Sequence, residues 1–281
     1  MILRRSLLIF ATALSALALE NQRLIPLEGA RNVRDIGGYA TNSGKTVRWG
    51  RVFRAGSLGK LTDADFAKLA DLNIRTVCDY RSSDERASDP TLWRGSAPVP
   101  ETVVLDLMAA NPGRDSKQDP TKAFMARLAA PGMTPEKVSQ MLSAMMSETA
   151  ISGAPLYGKM MRRLIDLDAP LLYHCTAGKD RTGLSTALLM KVLDVKDEHI
   201  YADYLLVNEL PGTKMPLEEI AKRYPGVDPE LLGPALGTRR EWLDAAFQGI
   251  DAKYGSFANY QKQALGLGDD DVKRLRARLL E

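Results

Sequence analysis

Leu171-Leu-Tyr-His-Cys-Thr-Ala-Gly-Lys-Asp-Arg-Thr-Gly183 is the stretch on which the fold turns. Leu171 to Tyr173 is a short apolar run that predicts a buried strand ending at His174. From Thr182 the pattern changes, and Leu184, Leu188, Leu189, Val192 and Leu193 recur at helical spacing. Cys175 and Arg181 enclose five small or polar residues, among which Gly178 permits a tight curl of the backbone. Strand, curled loop and helix start together turn successive backbone N–H groups into a concave nest. The positive end of the helix dipole stands behind it. Such a nest takes an anion.

Cys175 sits where that field is strongest, and a thiol placed beside cations at a helix N-terminus loses its proton more readily than a free one. Arg181 brings a planar fork of donors that matches two oxygens of a phosphate. A thiolate beneath a bound phosphate is set for in-line attack, giving a cysteinyl-phosphate that water later hydrolyses. Thr182 is placed to hydrogen-bond the departing sulfur in that second step. Thr176, Ala177, Gly178, Lys179, Asp180 and Arg181 are the expected phosphate-binding wall, and His174 is read as loop support, not as the base. A lone C-x5-R arises by chance, so a structural loop or a phosphate binder without turnover stands as the alternative. His174, Gly178 and Thr182-Gly183, with a strand before and a helix after, favour a working site.

The run His174-Cys-Thr-Ala-Gly-Lys-Asp-Arg-Thr-Gly183 resembles the signature loop of the cysteine-dependent protein tyrosine phosphatase superfamily. It is most similar to the atypical bacterial and fungal tyrosine phosphatases, of dual or triple specificity, whose loop carries Lys-Asp before the Arg. Asn32-Val-Arg-Asp-Ile-Gly-Gly38, Phe53-Arg-Ala-Gly56, Tyr254-Gly-Ser256 and Ala264-Leu-Gly-Leu267 extend the resemblance from about Arg31 to the C-terminus. It implies a phosphatase acting on phosphotyrosine, with phosphoserine/threonine or phosphoinositide as further options, and helical insertions around the site. No cofactor is implied. Metal chemistry draws no support from the residues either, because the two histidines, His174 and His199, lie far apart in sequence.

The first residues read as a targeting segment: Arg4 and Arg5 precede an apolar run from Leu7 to Leu19, and Ala16-Leu17-Ala18 fits a cleavage site. An export signal over 1–18 and one domain over 19–281 are therefore expected, with a periplasmic or secreted destination. An amphipathic helix packed on the domain is the competing reading. The formal charge of +3 falls to +1 once Arg4 and Arg5 are removed, and no long basic block remains to bind nucleic acid. Membrane contact is expected only through a lipid substrate, if at all. Val33 to Thr41 and Lys45 to Phe53 predict two extended segments joined at Asn42-Ser-Gly44, with Arg34, Asp35 and Arg54 as structural partners. Thr62-x-x-Asp65 opens a helix, Ile74 to Tyr80 and Val103 to Leu107 predict strands, and the alternation argues for an α/β fold with a largely parallel central sheet flanked by helices. The catalytic loop then leaves the carboxyl end of a strand.

About 108–153 breaks the alternation and reads as a helical insertion. Its Met141, Leu142, Met145 and Met146 stripe either packs on the body or faces the site as a lid. Asp197 to Leu210, Pro216 to Tyr224 and Arg239 to Tyr254 predict helices, and Asp270 to Leu280 a basic helix with a solvated face. A general acid must protonate the leaving oxygen. Asp180, Asp79 and Asp106 are the candidates, with a helix-start charge and a pair with Arg81 as the plainer roles of the first two. Lys179 either adds a second cation for multiply charged head groups or neutralises Asp180. Cys78 is either a small buried hydrophobe or a partner that traps oxidised Cys175.

Overall fold

The computed structural model describes residues 22–94, 98–110, 120–210, 217–223 and 225–281. The N-terminal run read as an export signal lies outside the described residues, as do Asn111 to Asp119 of the expected loop.

Five strands make one sheet: β1 (Arg34–Asp35), β2 (Val52–Ala55), β3 (Thr76–Asp79), β4 (Glu101–Val104) and β5 (Leu171–His174), in the order β1-β2-β5-β3-β4. Only β1 runs antiparallel to its neighbour; the β2–β5, β5–β3 and β3–β4 pairs are parallel. The fold is thus α/β with a largely parallel sheet, as expected. Side chains alternate across the pleat. Leu172, Phe53 and Val77 face one core with Leu69 of α1 (Asp63–Asp71), while Leu171, Tyr173, Val52 and Cys78 face the larger one. That larger core is closed by α5 (Ala154–Asp166), α6 (Asp180–Val192), α7 (Asp197–Leu206), α10 (Arg240–Tyr254) and α12 (Asp269–Leu279). Register aligns Ala55, His174 and Asp79 side by side. The loops that follow β2, β5 and β3 therefore meet at one edge of the sheet, where parallel sheets place their ligands.

The capping box at Thr62 and Asp65 is present, and a second one, Ser82 with Glu85, opens α2 (Ser83–Ser88). Four expectations shift. Helix α6 begins at Asp180 instead of Thr182, since the left-handed Gly178 (φ +69°) turns the chain early and an acidic first residue suits the helix start. Strand β4 ends at Val104, because the Asp106 carboxylate takes the N–H groups of Met108 and Ala109 and folds the chain away. Helix α12 is not a solvated face: Val272, Leu275 and Leu279 are buried and the helix packs along α5. The methionine stripe splits. On α4 (Pro135–Ser152), Met146 enters the main core, and Met141 joins a small third core with Leu128 of α3 (Pro120–Leu128) and Leu231 and Leu232 of α9 (Pro229–Leu236). Helix α9 escaped the sequence reading, although Asp228 followed by Pro229 is a helix-start signal.

Candidate active site

The loop after β5 owes its shape to its carbonyls. Thr176 O accepts from the Ser57 N–H (2.9 Å), Ala177 O from Asn32 Nδ2 (2.6 Å), and Gly178 O from Arg54 Nη2 (2.9 Å). A planar trans peptide points its N–H opposite its C=O. Fixing three successive carbonyls outward therefore turns the next three N–H groups inward. One is visible directly: the Gly178 N–H donates to Cys175 Sγ at 3.3 Å. A Cβ on Gly178 would lie 2.6 Å from Gly56 N and 2.7 Å from Ala55 O, so the loop is seated on β2 so closely that only glycine fits.

Arg54 is held in turn by a buried ion cluster. Asp203 on α7 accepts from Arg34 Nε at 2.9 Å and from Arg54 Nη1, and Tyr39 OH donates to it at 3.2 Å. Arg34, Arg54 and Asp203 are all at most 1% exposed. Burial alone would raise the Asp203 carboxyl, but the two guanidinium groups outweigh it and hold it well below the usual carboxylate range. Arg34, Asp35 and Arg54 are structural residues here; Asp35 takes the Gly37 and Gly50 N–H groups.

Arg181 faces Cys175 with its donors already sorted. Nη1 and Nη2 donate to the two carboxylate oxygens of Glu85 at 2.7 and 2.6 Å, and Nη1 also donates to Tyr80 O at 3.2 Å. A guanidinium has five donors. Those left over are the Nε–H and the second Nη2–H, neighbours on one edge and spaced for two phosphate oxygens. Burial works against the Arg181 charge, yet the field of Cys175 and the Glu85 carboxylate raise its pKa. Burial likewise opposes the Glu85 charge, but Arg181 and the Thr176 hydroxyl hold its pKa at about 2. Glu85 was not legible as a site residue. Its only signal was the spacing from Ser82, which marks a helix start and not an arginine partner.

Cys175 is 2% exposed at the floor of this cup. His174 sits behind it, with Nδ1 3.2 Å from the Cys175 carbonyl and Nε2 3.6 Å from Asp79. Burial lowers the His174 pKa to about 4, so the ring is neutral and the Asp79 contact is not an ion pair. A histidine neutral in the folded state and titrating near 6.5 when unfolded binds fewer protons folded. Its contribution is complete above pH 6.5 and is lost as pH falls toward 4. Urea unfolding at pH 7 and pH 4.5 should differ by about 2 kcal/mol from this group. His174→Asn should flatten that part of the curve while leaving the smaller contribution of the partly buried His199.

One expectation is corrected here, and two open alternatives are narrowed. Asp79 is 2% exposed and bonded to Arg81 through Nε and Nη2 (3.1 and 2.8 Å to Oδ2). Burial would raise its pKa, but the Arg81 bonds lower it; both carboxylate oxygens are committed to Arg81 away from solvent, so Asp79 keeps its plainer role. Cys78 is not a resolving thiol. It pairs across the sheet with Tyr173, two residues short of Cys175; one strand spacing and two residues of rise separate the Cα atoms by about 8 Å, beyond the ~7 Å a disulfide spans. Both cysteines are free, and burial pushes the Cys78 thiol up to about 12. The Lys179 ammonium donates to the carbonyls of Ala235 and Gly237 as well as lying 3.6 Å from Asp180.

Asp180 is the first residue of α6, beside Arg181 in sequence, with a 41% exposed side chain, whereas Asp79 is buried. Asp106 is tied up by its turn and stands 3.9 Å from Arg86. Thr182 Oγ1 is buried without a partner of its own, next in sequence to Arg181. Among the described residues no group of three His, Cys, Asp or Glu side chains converges as a metal site, and no helix is long and apolar enough to cross a membrane.

The sequence model of the tyrosine phosphatase family matches residues 25–281. A Cupriavidus necator protein, named provisionally as a tyrosine-protein phosphatase, is 30% identical over 95% of this chain and 92% of its own length. A triple specificity protein phosphatase of Mycobacterium tuberculosis is 32% identical, over 90% of this chain and 98% of its own. A tyrosine-protein phosphatase of Nostoc commune is 27% identical over 80% of this chain and 73% of its own.

Proposed function

This chain belongs to the tyrosine phosphatase family, and from that premise we propose that its phosphatase activity runs through Cys175 on phosphotyrosine in proteins. Phosphoserine and phosphothreonine are the secondary substrates. The observation that carries the assignment is the cup itself: three outward-fixed carbonyls, the Gly178 N–H on Cys175 Sγ, and an Arg181 fork with one edge free. The inward amides and that edge take the three non-bridging oxygens of a phosphate. Sγ attacks phosphorus in line, the S–P bond forms, and the P–O bond to the leaving group breaks. Asp180 supplies the proton to the leaving oxygen. Water then attacks phosphorus, Asp180 takes a proton from it, and the sulfur departs with its charge eased by the Thr182 hydroxyl, which has no competing partner.

The phosphoinositide option came from the family resemblance and from Lys179, and the Lys179 ammonium is engaged with carbonyls at the end of α9; a protein phosphomonoester needs no second cation. A panel of phosphopeptides and soluble phosphoinositides, assayed with wild type and Asp180→Ala, tests both assignments. Asp180→Ala should slow a phenyl phosphate ester by about 10²-fold or more and leave an activated nitrophenyl ester much less affected. Equal losses on both would remove Asp180 as the acid, and a phosphoinositide turned over faster than every phosphopeptide would reverse the substrate order. The apolar N-terminal run supports export after cleavage near Ala18; cell fractionation and N-terminal sequencing of the mature protein test it.

A further inference from the structure

Lys179 occupies an unfavourable place for a cation. It is the residue before α6, so its backbone stands at the positive end of that helix, two residues from Arg181. At that helix start the ammonium has the Asp180 carboxylate at 3.6 Å as counter-charge. The side chain instead reaches the opposite kind of helix end. Its Nζ donates to the Ala235 and Gly237 carbonyls at the C-terminus of α9, where unsatisfied carbonyls concentrate negative charge. The side chain is 14% exposed, so the contact is largely sheltered from water. The segment just beyond is clasped independently: Thr238 N–H donates to Asn208 Oδ1 (2.8 Å), Asn208 Nδ2 to Thr238 O (2.9 Å), and Thr238 Oγ1 to Tyr204 O (3.0 Å). A Cβ on Gly237 would lie 2.5 Å from Asn208 Oδ1, so this clasp is tight. The clasp fixes where α9 ends, and Lys179, bonding on both sides of that end, fixes the direction in which the helix leaves it.

We propose that Lys179 is a positioning residue that caps α9 and so fastens the α3–α4–α9 core to the catalytic loop, instead of reading a second phosphate on the substrate. The inference rests on the phosphatase reading only for its kinetic arm. One cation satisfies the negative end of α9 while carrying its own charge away from the α6 N-terminus, whose field is left for the thiolate and the bound phosphate. The small core built on Leu128, Val138, Leu231 and Leu232 has no strand of its own to hold it. Helix α4 joins it to the main core through Met146, and on the α9 side its register with the site is set by the Lys179 bonds and the Asn208–Thr238 clasp.

The first measurement is hydrogen exchange of α9 in the substrate-free protein, comparing wild type, Lys179→Met and Lys179→Arg, each also in a Cys175→Ser background. Lys179→Met should speed exchange in α9 about fivefold, with α6 and β5 unchanged, and Lys179→Arg should restore much of the protection because a guanidinium also donates to carbonyls. This arm reads the same whether or not the protein turns over substrate. The second measurement compares kcat/KM for a singly phosphorylated tyrosine peptide and for a soluble inositol lipid head group bearing two ring phosphates. Positioning predicts that Lys179→Met lowers both by a similar factor. Unchanged exchange in α9, or a loss confined to the doubly phosphorylated substrate, would overturn the proposal.

Discussion

Asp203→Ala should lower folding stability by about 3–5 kcal/mol, the largest cost expected of any single substitution outside the apolar cores. Two guanidinium groups, each at most 1% exposed, share this carboxylate, and Tyr39 leans on the same oxygen as Arg34. Without it both cations are buried and unpaired, which costs far more than the ion pairs contribute when intact. The effect also reaches catalysis. Arg54, which holds the Gly178 carbonyl outward, loses its anchor, and the peptide that presents the Lys179 N–H to phosphate is free to turn. Urea denaturation with a probe for turnover at each concentration separates the two losses. A change in stability below about 1 kcal/mol would mean that the cluster is dispensable.

Cys175→Ser should abolish turnover by at least about 10⁴-fold while phosphate still binds. A serine hydroxyl holds its proton at neutral pH and is a far weaker nucleophile towards phosphorus than sulfur. His174 is not placed to remove that proton, because it turns Nδ1 to a carbonyl and is buried behind the loop. The inward amides and the free edge of Arg181 are untouched, so calorimetric titration with a phosphotyrosine peptide should give an affinity close to the wild-type KM. Residual turnover within a hundredfold of wild type would assign the nucleophile elsewhere.

Leu171 to Gly183 declared its strand, its loop and its helix because each part obeys a local rule: an apolar run, a glycine with positive φ, a helical stripe. Cys175 and Arg181 stood out for the same reason. What a local rule cannot show is a contact between distant segments. Glu85 meets Arg181 across 96 positions, Asn32 meets Ala177 across 145, and Asp203 meets Arg34 across 169. Each of these residues has an innocuous reading in its own neighbourhood. Asp79 shows the converse. At the end of a strand beside the loop it looked available as an acid, and only its bonds to Arg81 reveal that its carboxylate is already committed.

Strand β5 lies in mid-sheet, bonded along both edges to parallel neighbours, and it delivers the nucleophile at its very tip. Segments so enclosed are among the last to open, since exposing them means dismantling the structure on either side. Fraying at the periphery leaves the reaction centre standing. Catalytic rate per mole of protein thus serves as a gauge of how much of a sample is natively folded, from heat treatment to long storage.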